Sequence, residues 1–514
     1  MAAVPKVTLP NRDEVSTIRA DGSRRFLYPA DARGRFLRAR RWSGWLLIAV
    51  YLALPWFKVG GYPAVFLDVA ERRFHFFGGT WVAQDMWLLF FLIAGLGFSL
   101  FLVTSLLGRV WCGWACPQTV FLEHVYRVIE RRLEGDAVRR RRLAAAPWSA
   151  GKVFRLGLKH GVFVVVSVAV AHVFLAYFVS LPGLWGMVAG APGAHGGAFL
   201  FVVAFSGILY FNFAWFREQL CIIICPYGRI QSALIDDHSM VIGYDAARGE
   251  PRGRVGMGGA GDCIDCHRCV QVCPTGIDIR QGLQIECIGC AACIDACNEV
   301  MGRLKRARGL VRYDSLNGFA GRGTRWLRPR TLVYAFIMCA GGGAAAAAFL
   351  SVKPAFVGIT RMVGAAYVMD AGMVRNQYFV RLVNKTGGPV SFTVRVEGLP
   401  AGAFVSGFGA PVRLVADGEE QRPLIVQMPL ARYSGGFPVR VRVRDESGRV
   451  DIAREIKFVG PDPLFLKMTL QSGPPASAAG ADASAAGADA ATSGPSAAAT
   501  GAADTTPASP TAKK

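Results

Sequence analysis

Apolar residues gather in five long runs, at roughly 42–59, 87–108, 161–182, 198–216 and 331–351. A helix of about twenty apolar residues crosses the hydrocarbon core of a bilayer, so the pattern predicts five transmembrane helices. The first run is short, but Trp42, Trp45 and Trp56 stand near its ends, where an aromatic belt anchors a span. The fifth holds Gly341, Gly342 and Gly343 and then five alanines, which lets another helix pack close. Beyond it the hydrophobic period drops to two. Gln377 to Val383, Ser391 to Val396 and Pro438 to Val443 alternate apolar with polar residues between Gly and Pro turns, which predicts a small β-sandwich. From about residue 472 the chain is Ala, Gly, Ser, Thr and Pro without large apolar residues, a composition that cannot bury a core and predicts disorder.

Charge orients this pattern. The formal net charge is +22, which in a soluble protein suggests nucleic acid. Here the basic residues collect beside the apolar runs, as in cytoplasmic loops, so no nucleic-acid partner is expected. The 109–160 loop contains Arg139, Arg140, Arg141 and Arg142, whereas 183–197 has no Lys or Arg. Five crossings then place the N-terminal arm, the 109–160 loop and 217–330 in the cytoplasm, and everything after about 352 in the periplasm of a bacterial inner membrane. The first forty residues are polar and arginine-rich, so no cleavable signal peptide is expected. The resulting division is an arm at 1–41, a four-helix membrane domain at 42–235, a cytoplasmic cysteine domain at 236–330, a fifth helix at 331–352, a periplasmic domain at 353–471 and a tail at 472–514.

The cysteines supply the chemistry. All thirteen lie between Cys112 and Cys339, the opposite of a disulfide-stapled secreted domain. Cys263, Cys266, Cys269 and Cys273, followed by Pro274, have the spacing of a bacterial ferredoxin; Cys287, Cys290, Cys293 and Cys297 repeat it, ending in Asn298. Two-residue gaps wrap three thiolates around one cubane, and the fourth cysteine ligates the other cluster. The spacing therefore predicts one [4Fe–4S] cluster on Cys263, Cys266, Cys269 and Cys297 and a second on Cys273, Cys287, Cys290 and Cys293. Zinc uses four ligands in two pairs rather than two quartets. Cys263 to His267 also reads as a haem-attachment string, but it lies inside the ferredoxin pattern.

A second set of thiols follows the second and fourth runs. Cys112 and Cys116 precede Pro117, and Cys221 and Cys225 precede Pro226, each pair after an arginine, Arg109 or Arg217. The repetition suggests a duplicated two-helix unit. An i, i+4 spacing puts both sulfurs on one helix face, and the prolines end or kink that helix. Soft thiolates select Cu(I), and close thiols can cycle through a disulfide; the bland alternative is small apolar residues packing a helix interface. Cys339 reads as packing, and His160, His172 and His195 as occasional metal ligands at most. Gln84-Asp85 reads as a solvated helix start or a quinone contact, and Asn384 to Thr386 as a glycosylation string out of context.

The Trp111 to Gln118 string, Cys225 to Gly228, the double ferredoxin motif and Arg308 to Asp314 resemble the CcoG/FixG/RdxA family, cytochrome c oxidase accessory proteins, over about residues 25–465. The resemblance implies an immunoglobulin-like periplasmic domain and a role in assembling a haem-copper oxidase, in which Cu(II) is reduced to Cu(I) before insertion. It carries the ferredoxin cysteines over as cluster ligands, and Cys112, Cys116, Cys221 and Cys225 as the candidate catalytic thiols, binding copper or cycling by redox. The implied partners are the oxidase assembly machinery or copper-transporting proteins, and a cytoplasmic electron donor or quinol. The competing reading is a quinol-linked membrane ferredoxin feeding a periplasmic reductase; a third makes the β-sandwich the working part, docking membrane partners while the clusters are structural.

Overall fold

The computed structural model describes residue 17 and residues 24–82, 85–255, 258–351, 353–386 and 388–464. The predicted tail at 472–514, Gln84 and most of the N-terminal arm lie outside the described residues. Five long helices organise the rest: α1 (Arg35–Ala53), α2 (Trp87–Leu107), α3 (Ala150–Leu175), α4 (Gly196–Phe211) and α5 (Pro329–Leu350). The last four, with α4 prolonged to Pro192–Phe216 by flanking turns, are long and apolar enough to cross a membrane.

The first predicted span does not meet that standard. Its helix begins seven residues before 42 and carries Arg35, Arg38, Arg40 and Arg41 in its first half, so only its second half is apolar. α3 also departs from expectation, starting at Ala150 rather than near 161. Ser149 caps it by accepting a hydrogen bond from the Lys152 amide (3.3 Å). The lysines of the added turns find partners, Lys159 in an ion pair with Glu134 (2.8 Å) and Lys152 by donating to the Ala144 and Ala146 carbonyls. A short helix, Leu181–Ala189, also occupies the expected loop at 183–197.

The helices separate two ends of the molecule. At one end α2 finishes, α5 begins just after its cap residue Arg328, which binds the Ser105 carbonyl (2.7 Å), and the cysteine-rich lobe sits. α1 starts there too, its Leu37 amide donating to Asp295 (2.8 Å), and its other half reaches Tyr177 beyond α3. At the far end a meander of three strands, Val65–Asp68, Arg73–Phe76 and Gly79–Val82, packs Trp81 against Phe349 of α5. These strands were not expected from the sequence.

The alternating segments after α5 form two antiparallel sheets. One is ordered Phe404–Ser406, Glu419–Pro429, Met373–Asn384, Ala355–Arg361, with Val368–Asp370 paired beside Met373; the other is Val412–Leu414, Val390–Glu397, Phe437–Asp445, Asp451–Phe458. Val374, Tyr378, Val380 and Leu382 face inward at period two and meet Val439, Val441 and Val443 in one core. Asn376 shares that face, but its amide exchanges hydrogen bonds with the Val459 backbone (2.6 and 3.0 Å), so it is not left orphaned.

Candidate functional site

The eight ferredoxin-pattern cysteines line two adjoining hollows. Cys263, Cys266, Cys269 and Cys297 face the first, together with Tyr244, Arg280 and Met301. Cys273, Cys287, Cys290 and Cys293 face the second among Ile277, Ile279 and Ile288, with Cys269 standing between the two. The fourth cysteine of each motif thus lines the hollow built by the other motif. Local backbone turns the thiols inward at matching points of the repeat. Asp265 and Gly289 (φ 53° and 66°), and His267 and Ala291 (φ 53° and 61°), all occupy the left-handed region. Only Gly289 does so without a Cβ penalty. A Cβ there would also lie 3.0 Å from the Arg109 carbonyl.

Every cysteine is a free thiol. Apolar walls, thiols on several sides and amides aimed at sulfur (Gly289 to Cys287, Val311 to Cys297) suit a cubane, whose potential such hydrogen bonds tune. Among the described residues no three His, Cys, Asp or Glu side chains close around a single metal ion. His267 of the haem-like string is exposed, and its Nδ1 accepts a hydrogen bond from the Arg280 guanidinium (2.8 Å).

The C-x₃-C-P pairs depart from expectation. Neither lies on one continuous helix. Cys112 sits in the short helix Val110–Trp114 and Cys221 in the π turn Leu220–Ile224, while Cys116 (ψ 126°) and Cys225 (ψ 112°) are extended. A residue before proline is driven from the helical region, and Pro117 and Pro226 then open new helices, Pro117–Phe121 and Pro226–Leu234. The duplication itself is visible in the backbone. Gly108 (φ 59°, ψ −132°) and Arg217 (φ 51°, ψ −119°) each stand four residues before the first cysteine in the same conformation. The residue equivalent to Arg217 is therefore Gly108, not Arg109.

The four thiols share one electrostatic neighbourhood. Burial pushes Cys112 up to about 11, with Cys116 adding to the effect, and pushes Cys221 up to about 12, with Cys116 and Cys112 adding. Cys112 donates to Oε1 of the fully buried Gln231 (3.4 Å). His160 is engaged by Tyr210 (2.9 Å) and His172 by the Val168 carbonyl (2.8 Å); His195 ends a turn at the opposite end of α4. Asp85 forms an ion pair with Lys385 of the β-sandwich, and Cys339 is exposed on α5.

This neighbourhood abuts the second hollow. A Cβ on Gly113 would lie 2.6 Å from the Ile288 carbonyl and 2.9 Å from the Cys290 Cα, so only glycine fits. The Trp114 indole donates to the Gly289 carbonyl (3.3 Å). A buried ion network, missed in the sequence because its arginines read as solvated loop, braces the contact. Arg217 binds both oxygens of Glu130 (3.0 Å each), Arg140 joins it (3.1 Å), and Arg127 links Glu218 (3.3 Å) to the Pro274 carbonyl (3.2 Å). Arg40 donates to the Gly113 carbonyl itself (2.6 Å).

Comparisons with known proteins agree with this geometry. A family model described as a 4Fe-4S dicluster domain matches residues 216–316, and one described as a 4Fe-4S binding domain matches 86–135. A third, the IG-like fold at the C-terminal of FixG, matches 345–461. The chain is 35% identical to the nitrogen fixation protein FixG of Rhizobium meliloti, covering 80% of this chain and 88% of that one. It is 36% identical to protein RdxA of Cereibacter sphaeroides (83% and 93% covered) and 36% identical to RdxB of the same organism (72% and 81%). With the apolar helices, these matches make it a membrane iron–sulfur electron-transfer protein. The chain belongs to the FixG/RdxA family.

Proposed function

We propose that this protein reduces Cu(II) to Cu(I) for the copper centre of a haem-copper oxidase, acting as an assembly factor in the bacterial inner membrane. In this reading Cys263, Cys266, Cys269 and Cys297 hold one [4Fe–4S] cluster, and Cys273, Cys287, Cys290 and Cys293 the other. Bound clusters supply single electrons at low potential. The chain's own part is to hold the substrate copper among Cys112, Cys116, Cys221 and Cys225. Each Cu(II) gains one electron as the protein loses one, and soft sulfur ligands favour the Cu(I) product. Thiols raised by burial must release protons to bind metal, so copper binding should liberate acid.

The observation that carries the proposal is the contact of Gly113 and Trp114 with the 288–290 loop, which sets the thiols beside the second hollow. We take α1 as a fifth crossing, since it runs from the cysteine lobe to the region beyond α3, with the cysteine lobe cytoplasmic and the β-sandwich periplasmic. The test is to convert Cys112, Cys116, Cys221 and Cys225 to Ser, reduce the protein chemically without oxygen and add Cu(II). Iron and sulfide content should be unchanged while Cu(I) formation falls at least tenfold. Undiminished Cu(I) formation would sink the thiol site and favour quinol as the physiological partner.

A further inference from the structure

The two hollows differ in what surrounds them. The second abuts the helix ends at Gly113. The first is walled instead by Tyr244, His267, Arg268 and Arg280, and there Cys266 is the one exposed cysteine of the eight. Around it the stretches 248–255, 258–268 and 299–308 carry eight Lys or Arg against four Asp or Glu. They form a single rim. Arg248 donates to the Arg308 carbonyl (3.1 Å), Arg306 to the Asp262 carbonyl (2.7 Å), and the Gly253 amide to the Cys263 carbonyl (3.2 Å).

Some of this charge is internally spent. Arg248 pairs with Asp262 (2.5 Å), Arg252 with Glu250 (2.7 Å) and Arg303 with Glu299 (2.5 Å). Arg254, Lys305 and Arg308 are exposed and, among the described residues, meet no carboxylate within ion-pair distance. Cations beside the apolar helices are explained by the membrane surface. Arg254, Lys305 and Arg308 stand more than twenty residues along the chain from any apolar run and lack that explanation.

We propose that this rim is the docking face for an acidic, soluble one-electron carrier protein of the ferredoxin class, seated over Cys266. The inference rests on the electron-transfer reading proposed above and names its electron source. Charge complementarity steers such an encounter and fixes its register. In the productive complex one electron leaves the carrier, which is oxidised by one, and enters this protein, which is reduced by one; no bond is made or broken.

The test is equilibrium binding of an oxidised acidic [2Fe–2S] ferredoxin to the full-length protein in neutral detergent, at low and raised salt. The variant is Arg254→Glu, Lys305→Glu and Arg308→Glu together, all exposed, with iron content and circular dichroism confirming the fold. The variant should bind at least tenfold more weakly and lose the salt dependence seen in the native protein. Equal affinity for both proteins, or native binding indifferent to salt, would overturn the proposal. So would a variant that keeps ferredoxin affinity but no longer binds vesicles of anionic lipid, since the rim would then be a lipid contact. None of these outcomes depends on whether copper is the acceptor.

Discussion

The β-sandwich and the cysteine lobe, held at opposite ends of the helices, are stabilised by different means. The sandwich buries twenty apolar residues in one core, none of them cysteine, with Val441, Val443, Leu424 and Val426 fully enclosed. The cysteine lobe has a core of eleven buried residues, two of which are Cys263 and Cys269, and four more cysteines pack against it. Its hollows are walled by thiols where the sandwich has interlocked side chains. The sandwich carries its fold in its own hydrophobic alternation; the cysteine lobe completes its interior with what it binds.

That contrast makes its sharpest prediction for iron removal. Chelating the iron of the reduced protein should unfold the cysteine lobe, because ligand binding free energy is folding free energy when no preformed site survives. The sandwich should stay folded. Hydrogen exchange should rise throughout 258–314 and stay low in the strands from Met373 to Phe458. A lobe that kept its protection without iron would erase the distinction.

A smaller effect tests the other side. Leu424 is fully buried between the sheets. Leu424→Ala should cost the sandwich about 2–5 kcal/mol, the transfer of the lost atoms plus the cavity. Cluster absorbance should not change, because the core it weakens shares no residue with the cysteine lobe. Thermal unfolding monitored by strand circular dichroism, beside visible absorbance, separates the two.

The same division explains what could be read from the sequence. Period-two stretches such as Gln377 to Val383 became strands because a sheet with one buried face must alternate. Cysteine spacing was equally legible, since two-residue gaps suit one geometry. The meander at 65–82 was not, because Arg73 to Phe76 mixes charge and aromatics over only four residues. Nor was the start of α3, where Ser149 supplies a cap and Glu134 pairs Lys159 ahead of the apolar run. The break at Cys116 was half legible. Pro117 announced it, but the matching of Gly108 with Arg217 shows only in backbone angles, because an arginine held there is strained and kept by its grip on Glu130.

Mild acid should produce the smallest separation of the two ends. His124 packs its ring against Gly44 of α1, beside the ion network. Burial first, and then Arg40, bring its pKa down to about 4 from an ordinary 6.5. A base whose folded pKa is depressed contributes stability that is complete above the unfolded value and is lost as pH falls from 6.5 towards 4. Its neighbour Glu123 does not blunt this. Burial would raise it, but Arg127 and Arg40 hold it at about 2, so it stays ionised through that window and weakens the fold only below about 4.5. Between pH 7 and pH 5 the α1 junction should therefore lose about 1–2 kcal/mol. All seven histidines precede residue 355, so the sandwich has no such group and should not respond. Hydrogen exchange of α1 against the strands, at both pH values, reads the difference directly, and His124→Gln should flatten the α1 response. His75, whose pKa burial also lowers, lies in the meander at the far end and is untouched by that substitution. A pH response of α1 that survived His124→Gln would move the acid sensitivity elsewhere.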